Sequence, residues 1–326
     1  MQEKILFRCD AGSIKEVGTG HLIRSISVAD QLVRSKIIKK ENISFLIKSK
    51  NKFLIAKKIL KKEKIKFKTL NNSIKDYSKE ELNEILKNTF KIIIFDRLGK
   101  ISSNFINKLK LNKKKIVCFD DSSKNRFKCD LSFNPLVFKT EYKKKNHFGG
   151  HSYNILPSQT LSLQKRKIKE IKKILLSFGG FDNKNLIKIF KNIPSLSKKY
   201  KFMLFNKTTK VNYMNRLEFS KTMNKCDLVF CAGGLTMFDA INLNKLVISI
   251  DQYSHQKNNI DKLKKKGVVE YFDIKKHKNI ISLINSLNLK SKINYKMKKI
   301  MIYNKSQKFK TVINKIKNLY EYPKSK

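Results

Sequence analysis

Short runs of β-branched and aromatic residues alternate along this chain with stretches whose apolar positions recur every three to four residues. The first run, Ile5-Leu6-Phe7-Arg8-Cys9-Asp10, predicts a buried strand, and an amphipathic helix follows over residues 20–33. Further strands are expected at 43–47, 65–70, 92–96, 116–121 and 131–134, the last stopped by Pro135. Helices are expected between them at 52–60, 78–89 and 102–109. Ser78 and Glu81 have the spacing of a capping box at the start of the second of these.

The second half repeats the rhythm. Strands are predicted at 174–178, 201–205, 227–231, 246–250 and 268–272, with helices at 183–191, 235–243 and 256–266. Residues 137–164 lack clear periodicity and contain Gly149, Gly150 and Pro157, which places the connection between domains there. A basic amphipathic pattern over 293–320 predicts one long outer helix. Strands alternating with helices imply parallel sheets covered on both faces. The expected fold is α/β: two doubly wound Rossmann-like domains facing a cleft, with ligands at the carboxyl ends of the strands. The expected divisions are 1–155, 165–290 and a basic C-terminal helix and tail at 291–326.

Composition changes this picture little. Length (326 residues) favours two domains, and 40% hydrophobic residues suffice for packed cores. A formal charge of +49 raises the question of nucleic acid. The lysines, however, are spread along the whole chain with many Ile and Asn, the trio an AT-rich genome encodes, and no aromatic platform or nucleic-acid motif accompanies them. Compositional drift therefore outweighs a specific nucleic-acid partner. Cys9, Cys118, Cys129, Cys226 and Cys231 form no C-x-x-C pair or zinc spacing and read as reduced core residues. His147 and His151 have a zinc-compatible helical spacing, but the intervening Gly149-Gly150 argues against a helix and makes them loop residues. No apolar stretch is long enough to cross a bilayer, and the expected location is cytoplasmic.

The chemistry gathers around glycine turns at strand ends. In Gly18-Thr19-Gly20-His21-x-x-Arg24, the glycines are free to take positive φ, and the helix they open offers N–H groups to an anion. His21 stands at that mouth as a group able to take a proton near neutral pH. Asp10, Ser177-Phe178-Gly179-Gly180-x-Asp182, Ala232-Gly233-Gly234-x-Thr236 and Gln256-x-x-Asn259 complete the set. In this order the motifs resemble the UDP-2,4-diacetamido-2,4,6-trideoxy-β-L-altropyranose hydrolases of pseudaminic acid biosynthesis and the related spore-coat polysaccharide proteins. The wider likeness is to GT-B glycosyltransferases of the MurG type.

The resemblance implies hydrolysis of a UDP-linked amino or deoxy sugar at the anomeric carbon, inverting and metal-independent, without a cofactor. The glycosyltransferase reading and a basic RNA- or polyanion-binding protein are the alternatives. His21 takes the position of the family's base, and Asp239 that of its ribose-binding glutamate, one methylene shorter. Gln256 and Asn259 match a segment that contacts the sugar or diphosphate, although His255 replaces its first asparagine. Asp96-Arg97 stands where the family often has an aspartate followed closely by tyrosine, which leaves the sugar open. Asp10 is left with three roles: orienting His21, holding a sugar hydroxyl or capping loop amides. Arg24 either meets a phosphate or carboxylate or makes a structural ion pair. Asp120-Asp121 is expected to cap a strand end. The glycines at 179–180 and 233–234 are expected to present N–H groups to the diphosphate.

Overall fold

A computed structural model describes residues 3–12, 18–49, 54–87, 89–97, 99–136, 145–179, 182, 184–190, 192–193, 198–205, 216–274 and 279–321. The chain divides into two compact units, residues 1–155 with 308–326, and residues 156–307.

The first unit alternates strand and helix: β1 (Lys4–Cys9), α1 (Gly20–Arg34), β2 (Ile43–Lys48), α2 (Leu54–Lys62), β3 (Phe67–Leu70), α3 (Lys79–Leu86), β4 (Phe90–Asp96), α4 (Ser103–Leu111), β5 (Lys115–Phe119), β6 (Leu131–Asn134) and β7 (His147–Gly149). Among the described residues its sheet is parallel, in the order β3-β2-β1-β4-β5-β6-β7. Both faces of β1 and β4 are buried, so their side chains are apolar at consecutive positions, and polar groups are left for the strand ends. Arg8 pairs in register with Phe95, and Cys9 with Asp96, which sets the end of β4 beside the end of β1.

Three features depart from expectation. The Ser78 hydroxyl does accept from the Glu81 amide at 3.2 Å, but the Glu81 carboxylate reaches back to Tyr77 N instead of closing on Ser78. Two arginines described below pull it there. The strand β7 places His147 in a strand rather than the expected loop. Three residues, one a glycine, carry no readable period, and Phe148 stacks on Phe133 at 5.2 Å to hold the strand to β6. The single long helix expected over 293–320 is two helices, α11 (Lys290–Lys305) and α12 (Phe309–Glu321). Ser306 Oγ and Gln307 Nε2 both donate to the Tyr303 carbonyl and end α11 there. The last helix, α12, belongs to the first unit, where it packs on α1, rather than to a separate C-terminal piece.

The second unit contains α5 (Ser158–Leu161), β8 (Lys173–Ser177), α6 (Leu186–Phe190), β9 (Lys201–Phe205), α7 (Arg216–Lys225), β10 (Leu228–Ala232), α8 (Leu235–Asn242), β11 (Leu246–Ile250), α9 (Ser254–Lys265), β12 (Glu270–Tyr271) and α10 (Ile280–Leu287), followed by α11. Among the described residues its sheet is again parallel, in the order β12-β11-β10-β8-β9. Phe178, Phe190, Phe230 and Phe272 meet mostly edge to face in its core, with centroids 4.9–5.8 Å apart. Both units are Rossmann-like. All five cysteines are buried and free. Among the described residues no helix is long and apolar enough to cross a membrane.

Candidate functional site

The carboxyl ends of β1, β4 and β5 gather the charged groups of the first unit around the start of α1. Gly20 is the first residue of that helix, and neither Gly18 nor Gly20 uses its freedom to take a positive φ. What Gly18 provides is open space, since a Cβ there meets nothing within 4 Å. The first turn of α1 has no acidic residue and no side-chain cap, so no side chain of its own covers its N–H groups.

His21 is oriented by a residue outside the glycine motifs. Its Nδ1 lies 2.8 Å from Asp96 Oδ1, and its side chain keeps 16% exposure. Arg24 lies one turn on, 1% exposed. Its Nε donates to Asp96 Oδ2 at 2.9 Å, Nη2 donates to Asp96 Oδ1, and Nη1 donates to Asp120 Oδ2 at 2.5 Å. Ser25 Oγ adds a donor to Asp96 at 3.2 Å. Burial alone would raise the Asp96 carboxyl, but the Arg24 charge and the hydrogen bonds from Arg24 and His21 hold it below the usual range. An ionised carboxylate only accepts, so it favours a proton on Nδ1, and in the neutral imidazole the lone pair is then on Nε2. That tautomer is the one a general base needs.

This geometry decides between the alternatives expected for two residues. Arg24 is not placed to meet a substrate anion: its guanidinium is enclosed between Asp96 and Asp120, and it lies 5.2 Å from the Phe119 ring centroid. Asp10 does not orient His21. Its Oδ2 accepts from Arg8 Nη1 at 2.8 Å and its Oδ1 from Lys48 N at 2.9 Å. Of the pair after β5, Asp121 caps the loop amides of Ile101 and Ser123, each at 2.8 Å, while Asp120 serves Arg24. The sequence signal for Asp96 is an acid ending an all-apolar strand, Ile92-Ile93-Ile94-Phe95-Asp96.

A second charge cluster lies at the same strand ends. Glu81 receives Arg8 Nε at 2.6 Å and both terminal nitrogens of Arg97, at 2.7 and 2.8 Å. Asp76 accepts from Arg8 and Arg97, each at 3.3 Å, and Lys48 Nζ at 2.6 Å. Burial works to raise the Glu81 carboxyl, yet Arg97 and Arg8 bring it down to about 2. Arg97 packs its guanidinium 4.0 Å from the Tyr77 ring centroid.

The second unit offers backbone and amides instead. Gly233 follows β10, and a Cβ there would come within 2.7 Å of Ile260 Cδ1 and 3.1 Å of the Gln256 carbonyl. Only glycine lets the loop lie this close to α9. Gly234 is the N-cap of α8, with no side-chain cap. Thr236 stands in the first turn, and Asp239 one turn later, both half-buried. Gln256 Oε1 accepts from Gln252 N at 3.0 Å, and Gln252 Nε2 donates to the Phe178 carbonyl at the end of β8, a tie that no sequence motif signals. Asn259, expected at the substrate beside Gln256, is instead 1% exposed, because it shares the inward face of α9 with Ile260 and Leu263. Gly179 takes φ +92°, a conformation that favours glycine. Gly180 lies outside the described residues, as does the side chain of His255.

Burial and the neighbouring Arg126 lower His147 to about 4, and its Nδ1 lies 3.2 Å from Ser132 Oγ. Among the described residues no group of three or more His, Cys, Asp or Glu is arranged to hold a metal ion.

Residues 149–316 match the family model described as the glycosyltransferase family 28 C-terminal domain. An uncharacterized protein of Methanocaldococcus jannaschii is 29% identical over 294 residues, covering 78% of this chain. The chain spans 57% of the length of that relative. Among solved structures, a candidate UDP-N-acetylglucosamine 2-epimerase from Listeria monocytogenes superposes with a TM-score of 0.62 at 12% identity, covering 99% of this chain and 98% of that one. The UDP-GlcNAc 2-epimerase from Neisseria meningitidis, solved bound to UDP-GlcNAc, gives 0.59 at 12%, covering 97% and 99%. The Streptomyces sp. SF2575 glycosyltransferase SsfS6 gives 0.56 at 10%, covering 98% and 100%. At these identities the likeness is one of fold.

Proposed function

The chain belongs to the glycosyltransferase family 28 C-terminal domain family, and we propose accordingly that it is an enzyme acting on a UDP-sugar. Its reaction, in this reading, is inverting hydrolysis of a UDP-linked amino or deoxy sugar, serving nonulosonic acid or cell-surface polysaccharide synthesis. Water attacks the anomeric carbon as His21 Nε2 takes its proton. The bond from that carbon to the phosphate oxygen breaks, and its electron pair leaves with UDP. Asp96 holds the imidazole in the accepting tautomer and stabilises the imidazolium that forms. The N–H groups of Gly233 and Gly234 are taken by the Ile250 and Ala232 carbonyls, so the diphosphate is met by the N–H groups at the start of α8, Asp239 takes the ribose hydroxyls, and Gln256 serves the sugar or diphosphate. The observation that carries the reading is the 2.8 Å contact of His21 Nδ1 with an ionised Asp96.

The test is UDP release from a panel of UDP-sugars with no acceptor present. The chain is expected to release UDP, and His21→Ala to abolish release while still binding UDP. Asp96→Asn is expected to lower kcat by about 10²–10⁴-fold and alter its pH profile. The family match favours one second reading, sugar transfer, in which the same base deprotonates an acceptor hydroxyl. UDP release only after an acceptor is added decides for transfer. RNA binding without affinity for UDP overturns both.

A further inference from the structure

The outer face of α11 is unlike the other helix surfaces. Its inner face is ordinary: Ile293, Met297, Ile300 and Tyr303 are buried, and Lys296 turns inward to pair with Glu270 at 2.6 Å. The opposite face should be polar in a helix that only covers a core. Here it exposes Tyr295, Met301 and Ile302, each more than half accessible, with Leu289 just before the helix equally exposed. Tyr295 and Ile302 are seven residues apart and so lie along one line of the helix. Lys292, Lys298 and Lys305 are exposed around them.

The patch extends beyond the helix. The Tyr295 hydroxyl and the Lys299 stem lie beside Gly267, which follows the exposed Lys264, Lys265 and Lys266 at the end of α9. Lys299 Nζ sits 5.4 Å from the Tyr295 ring centroid. Between Asp273 and Glu321 the sequence contains no acidic residue. Of the acids in α9 and β12, Asp261 and Glu270 are ion-paired with Lys257 and Lys296, and Asp239 lies half-buried on α8, which packs against α11. The result is a set of apolar side chains ringed by lysines.

We propose that this face docks the protein on an anionic lipid surface, with α11 lying in the plane of the headgroups. Met301, Ile302 and Leu289 enter the acyl boundary, Tyr295 sits at headgroup depth, and the lysines pair with lipid phosphates. Lysines alone would suit any polyanion. The exposed aliphatic residues favour lipid over RNA, because RNA is gripped by stacking on aromatic rings and this face offers one ring.

The test is co-sedimentation of the full chain with vesicles of phosphatidylcholine alone, or with about a third phosphatidylglycerol, at low and high salt. Binding is expected to the anionic vesicles only, with a part that persists when salt screens the charges. The double variant Met301→Ser/Ile302→Ser is expected to weaken binding about tenfold or more and remove the salt-resistant part. Lys298→Gln and Lys299→Gln should each weaken it about fivefold and flatten the salt dependence. Leu111→Ser, at an exposed leucine on α4 of the first unit, should change nothing, and thermal melts by circular dichroism check that each variant folds. No binding to anionic vesicles overturns the proposal. Binding unchanged in the double serine variant reduces it to general polycation adsorption and also overturns it. So does single-stranded RNA that displaces the vesicles and loses its own binding in that same variant.

Discussion

The two units use parallel sheets with different strand orders to opposite electrostatic ends. At the strand ends of the first, three arginines and four carboxylates are packed almost without water: Arg8, Arg97 and Glu81 with Asp10, and Arg24 with Asp96 and Asp120. At the strand ends of the second, glycines, glutamines and a bare helix start are joined by the half-exposed pair of Asp251 with Lys184. Buried ion pairs are weak stabilisers, since desolvation offsets most of their attraction. They do fix geometry, and in the first unit the geometry fixed is that of His21. The second unit has little to hold rigid, and its close loop packing leaves N–H groups and half-buried polar side chains for a ligand.

Removing one charge from the first unit should therefore have the largest effect. Arg24→Ala leaves Asp96 and Asp120 buried without their cation and is expected to destabilise the fold by about 3–5 kcal/mol in urea unfolding. Arg34→Ala breaks an exposed pair with Asp30 and should change stability by less than about 0.5 kcal/mol. Equal effects for the two would erase the contrast between buried and surface charge.

Acid comes next. Glu81 is held at about 2 in the fold against 4.5 as a free group, with burial opposing and Arg97 and Arg8 outweighing it. A depressed carboxyl contributes stability that is complete above pH 4.5 and is lost as pH falls toward 2. About 3 kcal/mol should disappear across that window, followed by unfolding at stepped pH. Glu81→Gln should flatten the profile there.

A smaller effect than either buried cluster's is expected in the second unit. Gly233→Ala pushes a methyl against Ile260 and the Gln256 carbonyl, and α9 must yield. A loss of about 1–3 kcal/mol in stability is expected, with UDP binding weakened about tenfold in a titration. If UDP affinity is untouched, the loop at Gly233 is a packing device only.

Much of this architecture is legible in the order of the amino acids. Runs such as Ile92-Ile93-Ile94-Phe95 can be little else than strands buried on both faces, and they place Asp96 at a strand end. The glycine turns mark where ligands meet such sheets. Two features are illegible: the short strand at His147–Gly149, too brief to show a period, and the break at Ser306, made by side chains capping a carbonyl. Asp10, near His21 in the chain, is the partner that proximity suggests, whereas the acid that holds the imidazole is seventy-five residues away.

Periodicity and glycine chemistry act locally, and for that reason the amino-acid order alone specifies the alternation of strand and helix, the parallel sheets and the histidine at a helix mouth. Three outcomes follow only from the folded chain: that Asp96 holds His21, that Arg24 is enclosed rather than offered to a ligand, and that Asn259 faces inward. They depend on strand register and helix rotation, which bring residues distant in the chain within hydrogen-bonding reach, and no local pattern encodes them.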